Sequence, residues 1–282
     1  MSKETGAIGP EDYAEPRCLL CDEPYGAEKP VQPIPQSRIA QKLDECWARR
    51  DTAGAERLLL YWLREAELGR DRRGELFLSN ELIGHYRKCG EKEKSLAFAD
   101  RALDLAEKLG YAGTVTYGTT HVNAATACSA FGDDGRALAL FRKARETYEA
   151  IPELPDHLLG GLYNNMGLTL TALGRYDEAL ALYEKALSVM GRVPGGTLEQ
   201  AITCLNMADT VSARDGQEAG EERIFALVDR AWELLQDPAA PRNGYYAFVA
   251  EKCAPSFSYY GYFLAAKELT EEADRIYAGT GA

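Results

Sequence analysis

A chain of 282 residues, 46% hydrophobic and 27% charged, has the balance of a soluble folded protein. No run approaches the roughly 18 apolar residues that a membrane helix requires. A formal net charge of −12 without any strongly basic stretch argues against nucleic acid as a partner. Seven cysteines, an odd number, and an N-terminus lacking the apolar core of a secretory signal suit a reducing, cytoplasmic setting.

Residues 1–35 hold six of the twelve prolines (Pro10, Pro16, Pro24, Pro30, Pro33 and Pro35) and no helical period. They read as an arm, disordered or laid along the body, ahead of one helical domain over 36–282. Within the arm, Cys18 and Cys21 stand at C-x2-C spacing, half of what a closed four-ligand zinc site needs.

From Ser37 to about Gly69 the apolar spacing predicts a helix pair, with Leu43 and Cys46 on one stripe and Ala55, Leu59 and Trp62 on the other. Lys42, at a place usually apolar, marks it as an atypical end copy. A second pair covers Glu75 to Leu109, and a third starts near Tyr117 and closes at the loop from Ile151 to Asp156.

The fourth pair, Tyr163 to Leu187, is the plainest. Tyr163, Met166, Gly167 and Leu170 lie on one helical stripe, Ala179, Tyr183 and Ala186 on another, and Gly174 between them can take the left-handed conformation that ends a helix. A fifth pair follows Pro194-Gly195-Gly196, with Arg214 to Gly220 read as a long turn. The sixth opens at Pro241 and is crowded with aromatic residues from Tyr245 to Phe263; Pro255 should kink or interrupt its first helix. That aromatic cluster reads as a cap over the end of the stack or as a binding pocket.

The fourth stretch resembles a tetratricopeptide repeat. With Gly160 as place 1 of the family's 34-place pattern, Tyr163, Met166, Gly167, Leu170, Ala179, Tyr183 and Ala186 fall at places 4, 7, 8, 11, 20, 24 and 27. Copies recur. Place 20 reads Ala55, Ser95, Ala137, Ala179, Ile224 and Ala266, in steps of 40, 42, 42, 45 and 42 residues; place 27 reads Trp62, Ala102, Ala144, Ala186, Ala231 and Ala273. A period near 42 resembles the long repeats of kinesin light chains and bacterial peptide-pheromone receptors. The resemblance implies an all-α fold, a right-handed superhelix of about six helix pairs. It also implies a second thiolate pair for the arm, for which this chain offers only Cys253, with Ala250 where the other cysteine would stand. Cys18, Cys21 and Cys253 are therefore either a zinc site or the remnant of one; otherwise no cofactor is expected.

The sequence carries none of the phosphate-loop, dinucleotide, nucleophile-elbow, zinc-protease or calcium-loop motifs, and His85, His121 and His157 are scattered, so no enzyme is expected. In repeats of this kind the first helices line a groove. The inward places hold Asn80, Arg87, Asn123, Thr126, Asn164, Asn165, Leu168, Asn206 and Asp209. A side-chain amide both donates and accepts, so Asn80, Asn123, Asn164 and Asn206 could hold the backbone of an extended peptide, or only bond a neighbouring helix. The expected function is a non-enzymatic adaptor binding a protein or peptide segment. The alternatives are a small-ligand or metal-responsive sensor using the cysteine arm and aromatic end, and a structural subunit of an assembly.

Overall fold

In five of its helix pairs the chain takes a left-handed residue at the end of the first helix and doubles back. The computed structural model describes residues 31–279. Arg50, Gly90, Gly132, Gly174 and Gly261 have φ of 54°, 74°, 81°, 70° and 86°, and each follows the last turn of a first helix. At every one of these turns the next backbone N–H reaches five residues back: Asp51 to the Cys46 carbonyl, Glu91 to Tyr86, Asp133 to Cys128, Arg175 to Leu170 and Tyr262 to Phe257. That bond satisfies a carbonyl the helix end would otherwise orphan, and it requires the left-handed residue just before it.

Twelve α-helices result among the described residues: α1 (Gln36–Ala48), α2 (Thr52–Leu68), α3 (Arg72–Lys88), α4 (Lys92–Lys108), α5 (Val115–Ala130), α6 (Asp134–Glu149), α7 (Asp156–Ala172), α8 (Tyr176–Met190), α9 (Thr197–Asp215), α10 (Gln217–Leu235), α11 (Gly244–Tyr259) and α12 (Phe263–Gly279). They form six antiparallel pairs with no strand among the described residues, the all-α repeat architecture that the spacing predicts. They fall into two compact units, α1–α4 and α5–α12, which divide at Leu109 and Gly110.

In the first unit, Ile39, Leu43, Cys46, Leu58, Leu59, Trp62, Leu78, Leu82 and Tyr86 make one buried cluster. Residues 31–35 lie against it. Gln32 N–H donates to the Gly69 carbonyl, and Ile34 N–H donates to Asp71 Oδ2, both at 2.9 Å. The other Asp71 oxygen caps α3 by accepting from Gly74 N–H at 2.9 Å. At place 20, Ser95 replaces the usual alanine, and its buried hydroxyl donates to the Ile83 carbonyl at 3.0 Å.

In the second unit the two small-residue columns account for the close packing. Ala137, Ala179, Ala144, Ala186 and Ala231 are fully buried. A side chain at Gly167 would strike the Tyr183 ring, one at Gly118 the Tyr148 ring, and one at Gly160 the Met190 thioether. These glycines thus admit large side chains from the second helix of their own pair. Burying a side chain such as Phe141 contributes roughly 1.5–3 kcal/mol.

Two sequence expectations need correction. The stretch from Arg214 to Gly220 is not a long turn: α9 runs through Asp215, α10 starts at Gln217, and Gly216 alone (φ 81°) joins them. The three residues that stretch this step extend helix instead, and three is close to one helical turn, so the buried face is kept. Gly220 makes the crossing, since an added Cβ would sit 3.0 Å from Val211 Cγ1. Nor does Pro255 interrupt α11, which is continuous from Gly244 to Tyr259. Ala247, Val249, Ala250, Cys253, Ala254 and Phe257 are buried along it, so tertiary packing holds the helix through the proline.

Candidate functional site

The first helices of the second unit pack side by side, α5 on α7, α7 on α9 and α9 on α11. Their shared face is laced by polar bonds between helices. Thr169 Oγ1 donates to Ser129 Oγ at 3.0 Å, and Thr171 and Thr210 share a hydrogen bond of 2.8 Å. Threonine is tolerated in mid-helix here because its hydroxyl also reaches the carbonyl four residues back, as Thr126 does to Val122 at 2.8 Å and Thr203 to Glu199 at 2.8 Å.

Asn164 Oδ1 accepts from Asn206 Nδ2 at 2.9 Å, and the Thr203 hydroxyl, 3.2 Å away, shares its one hydrogen between this oxygen and the Glu199 carbonyl. The Asn164 amide N–H2 and the Asn206 side-chain oxygen bond no other described residue, and both side chains are half-exposed. Half of each amide thus bonds the neighbouring helix while the other half stays open to a ligand. Asn165 is half-exposed beside them, and Leu168 is exposed at 38%. Asn123 and Thr126, on α5, are half-buried in the same unit.

Asp209 closes the α11 side. Its carboxylate accepts from the Tyr260 hydroxyl at 2.7 Å. Crowding by its neighbours raises the Asp209 pKa above the usual carboxylate value, and the Tyr260 bond pulls it part of the way back. The Tyr260 phenol is pushed up by burial first, then by the Asp209 carboxylate. At the other end of the same helix contact, Tyr245 donates to Glu199 Oε1 at 2.7 Å. These tyrosines were legible only as aromatic crowding. Their hydroxyls, which tie the last pair to α9, could have been sought as polar tips facing carboxylates one repeat back.

Asn80 and Arg87 belong to the first unit. Asn80 Nδ2 donates within its own helix, to the Leu76 carbonyl at 3.1 Å. Arg87 is half-buried with no ion pair among the described residues, and burial lowers its pKa.

Of the three cysteines read as zinc ligands, Cys18 and Cys21 lie outside the described residues. Cys253 is buried in α11, 2% exposed, and burial pushes its thiol up to about 12, whereas metal binding needs the thiolate. No group of three or more metal-binding side chains occurs among the described residues. No helix among them is long and apolar enough to cross a membrane.

Residues 158–219 match the tetratricopeptide repeat family model. No curated protein matches the sequence. Among solved structures, BtubC (BKLC) from P. vanneervenii superposes with a TM-score of 0.59 at 21% identity, over 70% of this chain and 78% of that one. Two structures from Podosopora anserina, described as kinesin light chain nearly identical TPR-like repeats, reach TM-scores of 0.49 and 0.50 at 17% identity, over 73% of this chain and 96% of theirs. At these identities the likeness concerns the fold. The matched segment, from α7 to the start of α10, is a tetratricopeptide repeat stretch, and helix pairs of the same build stand before and after it in the chain.

Proposed function

We propose that the first-helix face of the second unit binds an extended segment of a partner protein, without catalysis, and that the protein serves as an adaptor. Tetratricopeptide repeats typically bind protein partners. The observation that carries the reading here is the Asn164–Asn206 pair. Each amide is held by the other at 2.9 Å, leaving one donor group and one acceptor for a ligand. An extended peptide presents N–H and C=O groups at regular intervals along its backbone, so it matches such a pair without any demand on its side chains. Because the amides are already oriented, binding costs little further side-chain entropy.

Selection from a library of short peptides, followed by fluorescence anisotropy on the wild type and on the Asn123→Ala, Asn164→Ala double variant, tests this. Two lost amides should weaken binding about ten-fold. Unchanged affinity in a variant that remains folded at the temperature of the assay would overturn the reading.

A further inference from the structure

A cavity of about 420 Å³ lies between the first turns of α10 and the turn joining α11 to α12. Three aromatic rings wall it. Tyr260 is 9% exposed and anchored by its bond to Asp209; Tyr259 meets it edge-on, with centroids 5.0 Å apart at 80°; Phe225 comes from α10. Two carboxylates, Glu218 and Glu221, line it as well, beside Gln217, Ile224 and Gly261.

Neither carboxylate forms an ion pair with a described residue. Arg214 bonds Asp177 at 2.7 Å and Asp215 at 2.8 Å, and Arg223, exposed on α10, forms no ion pair with either glutamate. The N-terminal end of α10 contributes roughly half a positive charge, less than the formal charge of two glutamates. The cavity therefore carries negative charge beside aromatic rings, and Tyr259 and Phe225 stay 65% and 38% exposed. A small anion would be repelled there, and a neutral apolar group would leave the carboxylates unused. A cation with apolar substituents satisfies both features, since ring faces attract positive charge and bury methyl or methylene groups.

We propose that this cavity binds an alkylammonium group, either a lysine side chain, methylated or not, or a free quaternary ammonium ion. The Tyr260–Asp209 bond places it at the edge of the face assigned above to peptide binding, so a lysine on the bound segment would deepen that reading.

The test titrates tetramethylammonium chloride against sodium chloride at matched ionic strength, followed by amide chemical shifts of the isotope-labelled full chain. Tetramethylammonium should shift Phe225, Tyr259 and Tyr260. Tyr259→Ala, and Glu218→Gln with Glu221→Gln, should each weaken binding about three-fold or more. The exposed positions of these three side chains make folding failure an unimportant outcome, and the melting curve checks it. The neutral isostere 3,3-dimethylbutanol should bind far more weakly than choline; equal binding would overturn the proposal, as would shifts no larger than those sodium produces. Comparing choline with a trimethyllysine peptide then identifies the source: tighter binding of the peptide assigns the cavity to a partner segment, tighter binding of choline to a free cation, and both uphold ammonium recognition. Asn164→Ala should leave tetramethylammonium binding intact, so the cavity and the peptide face can fail separately.

Discussion

Asn206 donates its side-chain amide to the side-chain oxygen of Asn164, 42 residues earlier, at 2.9 Å. The same oxygen shares the Thr203 hydroxyl with the Glu199 carbonyl, so Asn164 acts as a pure acceptor toward α9 while its N–H2 bonds no other described residue. On the proposed function, stability and ligand binding reside on different atoms of one side chain. Asn164→Asp keeps the acceptor oxygen and replaces the amide donors by a second acceptor; Asn164→Ala removes everything. The alanine variant should lose about 1 kcal/mol in denaturant unfolding. The aspartate variant should melt within a degree or two of the wild type, by the same measure of hydrogen-bond strength, yet lose affinity for peptide as alanine does. Equal loss of stability in both would place the whole role of Asn164 in the helix contact.

The Asp209–Tyr260 bond bears on acid stability. Because the folded-state pKa of Asp209 is raised, the folded protein holds this proton more tightly than the unfolded chain does. Its contribution is fully present below the unfolded value near 3.8 and is lost as pH rises through the folded value. Ionised Asp209 is thus a cost at neutral pH, partly offset by the Tyr260 hydroxyl. Asp209→Asn keeps an oxygen for that hydroxyl and removes the charge. Its melting temperature at pH 7 should exceed that of the wild type, with the gap closing below pH 4; a lower melting temperature at pH 7 would contradict this account.

Turn conformation gives a third expectation. Arg70 follows α2 with φ 56°, and its N–H bonds the Glu67 carbonyl as Asp71 N–H bonds Ala66. The geometry is that of Gly90 and Gly174, without the glycine. A non-glycine residue is disfavoured in this conformation by about 1 kcal/mol, so Arg70→Gly should stabilise the chain, and Gly174→Ala should destabilise it by a similar amount in chemical denaturation.

The pairs were legible because two columns of small residues and a left-handed turn repeat together. At place 27 Trp62, Ala102, Ala144, Ala186, Ala231 and Ala273 are all buried, and the turns fall where Gly90, Gly132 and Gly174 announce them. Less was legible where a residue type has two uses. Gly216 and Gly220 resemble the ends of a loop, yet one is the whole connection and the other a helix crossing, because three added residues approximate one helical turn. Pro255 signals a break that burial of the surrounding helix overrides. The asparagines could be placed on the inner face from spacing alone, but which amide atom faces a neighbour depends on side-chain rotamers, which spacing does not encode. The tyrosine bonds to Glu199 and Asp209 cross 46 and 51 residues and leave no periodic trace.

Asp71 offers the sharpest contrast among the helix caps. It is 4% exposed and serves two donors, Gly74 N–H at the start of α3 and Ile34 N–H from the segment leading into α1. Asp133 makes only the ordinary cap, accepting from Arg136 N–H at 3.2 Å in an exposed position. Removing an exposed cap costs about 1 kcal/mol. Removing Asp71 costs that and also strands the Ile34 N–H in a buried site, a further 1–3 kcal/mol or so. Asp71→Ala should therefore destabilise at least twice as much as Asp133→Ala in denaturant unfolding. It should also release residues 31–35 from α2 and α3, so limited proteolysis should cut there faster in Asp71→Ala than in Asp133→Ala at equal overall stability. Asp71→Asn retains a carbonyl oxygen for one donor and should fall between the two; matching losses for Asp71→Ala and Asp133→Ala would show that the Ile34 bond adds nothing to the cap.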